Sequence, residues 1–211
     1  MHRANLAAEL RLKTGAPLFV LCPDDTTAEN FANDLRSMLG EEVTCLGMRD
    51  FTFYSTEAAS RQAEQKRLAA LFTLAEGRSA VTVASIPGLL QRTIPPETLR
   101  RAAFEIDAGG SYPIEDVEAA LLRCGYTRTE QVEGAGQFAR RGGILDFFSP
   151  SEHEPVRIEF WGDDVDSMGH FDVASQRRTE PLERCVILPA AETLPEMTAG
   201  GRDALCREIE S

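Results

Sequence analysis

The sequence predicts an α/β protein in which a parallel α/β layer carries an inserted small, mainly antiparallel α+β domain, and three observations predict it. Strand and helix signals alternate through the first half of the chain. A Gly-Gly break and a proline interrupt that rhythm between 104 and 113. After one further helix signal, only strand signals follow, separated by short turns.

Taken in order, "APLFVLCPDD" (16–25) is a short apolar run ending in a turn, as in a strand buried on both faces. "TTAENFANDLRSMLG" (26–40) follows with Phe31, Leu35, Met38 and Leu39 at helical spacing, a threonine near its start as cap and Gly40 as stop. A second strand, "EVTCL" (42–46), precedes a long helix from about 57 to 76, whose Leu68, Leu71, Phe72 and Ala75 share a face. The strand "AVTVAS" (80–85) completes the parallel layer.

"FEIDAGGSYP" (104–113) then carries a strand end, the break and a proline that opens the helix "IEDVEAALLRCG" (114–125). Strands are expected at about 126–138, 143–148, 155–161, 163–171 and 184–189, and "GGRDALCREIES" (200–211) reads as the start of another helix. The expected organisation is the α/β domain over 1–106, the α+β insertion over 107–190, and a return of the chain to the first domain over 191–211.

A hydrophobic fraction of 43% furnishes a core, and no apolar run is long enough to span a membrane. The start "MHRANLAAEL" lacks the apolar stretch of a secretory signal, so the expected compartment is the cytoplasm. The 34 acidic residues outnumber the 22 basic ones, and a charge of −12 argues against autonomous binding to a phosphate backbone. Five widely spaced cysteines fit reduced thiols packed as small hydrophobes. With no CxxC or HExxH and only three histidines, no metal site is expected.

The chain has no GxxxxGK[ST] loop to cradle a triphosphate, and "GAGQ" (134–137) is neither followed by a helix nor spaced as a dinucleotide fingerprint. "WGDDVDSM" sets Asp163, Asp164 and Asp166 beside Gly162, the pattern of a tight hairpin turn, with Phe160 and Trp161 read as core. His153 and His170 lack the neighbours of a catalytic triad and read as surface or second-layer residues. No catalytic residue and no cofactor are expected. "GQFARRGGILDFFSP" (136–150) is harder to dismiss, because Arg140 and Arg141 precede two glycines at a bend. Such a pair serves either as a solvated face or as a grip for carboxylates.

From "GYTRTEQ" to "CVILPA", the pattern "F.RRGGILD.F" followed by "P.RIEFWGD..DS...FD..SQR", with "VASIPGLLQR" upstream, resembles the UvrB-homology region at the N-terminus of bacterial transcription-repair coupling factors, the Mfd family. The resemblance covers nearly the whole chain. It implies a degenerate helicase-like layer interrupted by an insertion that docks onto the repair protein UvrA. It further implies a longer parent that binds RNA polymerase and double-stranded DNA and uses ATP and magnesium in motor domains absent here, leaving this fragment without catalysis or cofactor.

The nearest rival is a fragment of the excision nuclease subunit UvrB, or of another helicase-like ATPase. UvrB carries a tyrosine-rich hairpin for which "RDFTFYSTEAASRQAEQKR" (49–67) has no room. The UvrA-docking pattern of UvrB, Tyr-x-Arg then Phe-Arg-x-Arg-Gly, falls here on Tyr126 and Arg128, then on Phe138, Ala139, Arg140, Arg141 and Gly142. Ala139 replaces one arginine and Arg140 lies beside it. The resemblance therefore implies Arg128, Arg140 and Arg141, with Phe138, as the UvrA-binding residues.

Overall fold

The five residues "VTVAS" form a strand with no wet face, and the chain supplies a cover for each side. In the computed structural model, which describes residues 2–40, 42–49 and 57–194 and beyond them 201, 204, 206 and 207, this strand is the centre of a three-stranded parallel sheet. The elements before it are α1 (His2–Thr14), β1 (Leu18–Cys22), α2 (Asp25–Leu39), β2 (Val43–Leu46) and α3 (Glu57–Ala75). The strand itself is β3 (Val81–Ser85), and α4 (Ile86–Leu90) follows at once. The order is β1-β3-β2.

Alternation along β3 divides the packing. Val81 and Val83 meet Ala28, Ala32 and Leu35 of α2 and Ala4 and Ala8 of α1. Ala84 points the other way and packs with Ala70, Leu71 and Leu74 of α3. These elements form the first of two compact units, Met1–Pro96.

The cap of α2 is Asp24 rather than the expected threonine. Its carboxylate accepts from the Thr27 backbone N–H at 2.7 Å and from the Thr27 hydroxyl at 2.9 Å. Gly40 ends the helix as expected, in the left-handed region at φ 62°. The helix α1 was not anticipated, because its buried residues are alanines at i and i+4, while Leu6, Leu10 and Leu12 stay exposed.

The second unit is Glu97–Ser211. It contains α5 (Pro96–Ala102, apart from its first residue), β4 (Phe104–Asp107), α6 (Ile114–Arg123), β5 (Thr127–Arg128), β6 (Gln137–Arg141) and β7 (Ile144–Phe147), then β8 (Val156–Trp161), β9 (Asp164–Phe171), β10 (Arg178–Pro181) and β11 (Arg184–Ile187). A six-stranded sheet runs β10-β9-β8-β7-β6-β5, antiparallel except for the β5–β6 pair. Separately, β4 and β11 form an antiparallel ladder. One core joins them: Ile114, Val117 and Leu121 of α6 pack with Phe138, Leu145, Phe147, Val156 and Ile158 of the sheet and with Ile106, Cys185 and Ile187 of the ladder.

Three expectations change. The strand expected over 126–138 is two short strands with a loop between them, where the Gln137 side-chain oxygen accepts from the N–H groups of Glu133 and Gly134 and holds a turn. The strand β10 was not foreseen, since all four of its residues are exposed and give no apolar alternation. The two compact units divide at 96/97, and β4, expected at the end of the first domain, pairs with β11 rather than with the first sheet. The return expected over 191–211 lies largely outside the described residues. Of its described part, Leu194 lies against Gly125 of the second unit, where a Cβ on the glycine would meet it at 2.7 Å.

Candidate functional site

The turn between β6 and β7 needs both of its glycines. Gly142 sits at φ +62°, and a Cβ on Gly143 would come within 2.8 Å of the Phe160 carbonyl. That approach lets the Phe160 N–H donate to the Gly143 carbonyl at 2.7 Å, fastening the turn to β8.

Strand alternation then sends the two arginines to opposite faces of the sheet. Arg140, opposite Leu145, turns toward α6, where its guanidinium donates to Glu115 at 2.7 Å and to Glu118 at 3.0 Å. Arg128 reaches the other oxygen of Glu118 at 2.8 Å. The hydrogen bond from Arg140 holds the Glu115 carboxyl below its ordinary value, and the two glutamates raise Arg140 above its own. Two arginines and two glutamates make this edge neutral.

Arg141, opposite Ile144, points to the face away from α6 and donates to Asp146 at 2.8 Å. Asp146 is buried and already held by Arg157, whose pKa that hydrogen bond raises above its ordinary value. The Arg157 guanidinium also lies 4.5 Å from the centre of the Phe171 ring. Two guanidiniums thus share one carboxylate, and the outer one, Arg141, is half exposed at 49%. This three-residue cluster holds two positive charges against one negative.

The residues named from the sequence are therefore not one patch. Arg128 and Arg140 converge on Glu118, and Arg141 stands on the opposite face with Arg157. Phe138 is 0% exposed inside the core and supports the strand, so it offers no surface to a partner. Trp161 corrects a second expectation. Phe160 is buried, and its neighbour on the strand must face the other way, leaving Trp161 83% exposed on the face that bears Arg141. The turn at Gly162, with φ +64°, is the expected hairpin.

Sequence reasoning did not find Arg157 or Asp146. The signal was available, since Asp146 interrupts an apolar run at a position that alternation buries. Nor did it find Glu118, separated in sequence from both arginines it holds. His170, read as a surface or second-layer residue, is 3% exposed and stands 4.5 Å from His153 between ring centroids.

Residues 104–192 match the family described as UvrB interaction domain. That part of the chain is similar to the UvrB interaction domain family. Its limits run from the first residue of β4 to just beyond β11, so the match takes in the ladder, α6 and the whole six-stranded sheet. Over most of its length the chain is similar to proteins named transcription-repair-coupling factor, as its sequence motifs indicated. It is 32% identical over 200 residues to that of Myxococcus xanthus, covering 91% of this chain and 17% of the relative. It is 28% identical over 189 residues to that of Escherichia coli, covering 90% and 16%. A relative named UvrABC system protein B, from Thermosipho africanus, is 24% identical over 214 residues, covering 94% and 32%. The chain thus spans about a sixth of the length of the coupling factors it matches.

In the first unit, the junction of β1 and α2 is closed by its own carboxylates. Asp24 caps the helix, and Asp25 accepts from the Met48 backbone N–H at 3.1 and 3.2 Å. Among the described residues, no helix is long and apolar enough to cross a membrane. The stretch 50–56, part of the argument against a tyrosine-rich hairpin, lies outside the described residues.

Proposed function

We propose that this chain is a non-catalytic recruiting part of a transcription-repair coupling factor, which docks UvrA through its UvrB interaction domain and so brings nucleotide excision repair to a stalled RNA polymerase in the cytoplasm. One observation carries the reading. In a chain of charge −12, the domain holds Arg141 half exposed, sharing with Arg157 a single carboxylate, so that its outer side is open to an acidic partner. Arg128, 59% exposed at the edge strand, adds a second cation that exchanges Glu118 for a partner's acid.

The rival reading, a nucleotide hydrolase or helicase fragment, meets an obstacle at α2. A helix N-terminus binds phosphate through open N–H groups and a positive dipole end, and here Asp24 and Asp25 place two negative charges at that end. We assign no cofactor to this chain. Binding of ATP, magnesium, RNA polymerase and duplex DNA belongs, on this reading, to the remaining length of the parent, as does its helicase-like character.

Calorimetric titration of the chain with purified UvrA tests the proposal. Arg141→Ala and Arg128→Glu should each cost about 2 kcal/mol or more if the partner's carboxylates are desolvated, roughly a 30-fold loss of affinity. Lys66→Glu, on the first unit, is the control and should change affinity little. Equal affinity for wild type and folded Arg141→Ala would place any grip elsewhere, and saturable ATP binding would favour the rival.

A further inference from the structure

Glu152 and His153 lie in the connection between β7 and β8, and His170 pairs with Val156 near the end of β9, so the β8–β9 ladder brings His170 beneath that connection. His170 Nε2 is 2.9 Å from a Glu152 carboxylate oxygen, and the His153 ring meets the His170 ring edge-on at 65°. Ligating atoms of the three residues all lie within 4.8 Å of one another.

A core histidine held by a glutamate is the ordinary explanation for the Glu152–His170 pair. It does not account for the second imidazole: the exposed His153 ring stands at the edge of His170 and brings a third ligating atom to the same place.

We propose that Glu152, His153 and His170 form a site for one divalent transition-metal ion of the zinc class. Two imidazoles and a carboxylate suit zinc, and a water completes four-coordination. Metal–ligand bonds of about 2.0–2.2 Å put neighbouring ligand atoms of a tetrahedral site roughly 3.3 Å apart. The Nε2–oxygen pair of His170 and Glu152, at 2.9 Å, is already close to that spacing. The exposed His153 has the freedom to close the third side. The ion takes the place of the Nε2 proton, and the proton of the neutral imidazole then resides on Nδ1.

Such an ion ties the β7–β8 connection to β9. The same connection carries Ser149, whose hydroxyl donates to the Val186 carbonyl and accepts from the Leu188 N–H, so the clip also steadies β11. The proposal is independent of UvrA binding.

The test uses the full 211-residue chain, stripped by chelator and titrated with Zn2+ by calorimetry and with Co2+ by absorption. One ion per chain and a zinc-dependent rise in melting temperature are expected. His153→Ala, at an exposed ring, and Glu152→Gln, which keeps an acceptor for His170, should each weaken zinc at least about tenfold, with the metal-free melting temperature unchanged. Cobalt should show d–d bands without thiolate charge transfer. Undiminished zinc affinity in both variants, a cobalt–thiolate band, or no zinc-dependent rise in melting temperature would overturn the site.

Discussion

Arg157 closes on Asp146 with both arms of its guanidinium, Nε donating to one carboxylate oxygen at 2.7 Å and Nη2 to the other at 2.8 Å. The fork matches the carboxylate in plane, and Asp146 has almost no other access to water. The pair stands across the β7–β8 ladder, where Asp146 and Arg157 are register partners. Arg141 reaches the same carboxylate from β6. One buried charge thus links three adjacent strands of the sheet.

Breaking that link from the acid side leaves Arg157 without its carboxylate. Asp146→Ala should destabilise the second unit by about 3–5 kcal/mol, the cost of an uncompensated charge in a buried pair. Arg141→Ala removes only the half-exposed partner and should cost about 1 kcal/mol or less. Urea unfolding of the two variants checks the order, and equal destabilisation would contradict the arrangement.

In the first unit, Leu68 of α3 is wholly buried, whereas Leu71, on the face read from the sequence, is only partly so. Leu68→Ala should cost about 2–5 kcal/mol, as for full truncation of a core leucine. Leu71→Ala should cost less. Chemical denaturation monitored on the helical signal distinguishes them.

Asp24 gives that unit a pH dependence with a definite sign. The hydrogen bonds from Thr27 hold its carboxyl below the ordinary aspartate value. A depressed folded-state pKa adds stability that is present above the unfolded value, near 4, and is lost as pH falls through the lower, folded one. Wild type should therefore melt above Asp24→Ala at neutral pH. The gap should shrink in acid below that value, and a gap that widens there would contradict the cap.

How much of this was legible in the sequence depends on how each feature is encoded. The buried strand "VTVAS" and the helix bearing Ile114, Val117 and Leu121 announce themselves by period and composition. The helix α1 does not, because alanine is too weakly apolar for Ala4 and Ala8 to mark a face. Period two also held enough to separate Arg140 from Arg141 and Phe160 from Trp161. Reading each pair as a unit concealed it. The partners Glu118, Asp146 and Arg157, and the meeting of His153 with His170, come from strand register, which no local pattern reveals.

Trp161 supplies a test that separates the two arginine-bearing regions. It is the chain's single tryptophan, 83% exposed on the same sheet face as Arg141, and the ladder Arg141–Ile144–Glu159 runs one step along β8 from it. Large aromatic residues beside arginine are frequent anchors of protein interfaces. Docking of UvrA on this face should bury the indole, whereas docking only at the Arg128–Glu118 edge, on the side of α6, leaves it in water. Fluorine NMR of the chain carrying fluorotryptophan observes this one ring and none of the partner's. Saturation with UvrA should shift and broaden its signal. Trp161→Ala should weaken binding by roughly 30-fold, the loss of about 2 kcal/mol typical of an anchor, and change the melting temperature little because the ring is exposed. An unshifted signal at saturation, with Arg128→Glu alone weakening the complex, would assign the interface to the α6 edge and leave Arg141 as a structural partner of Asp146.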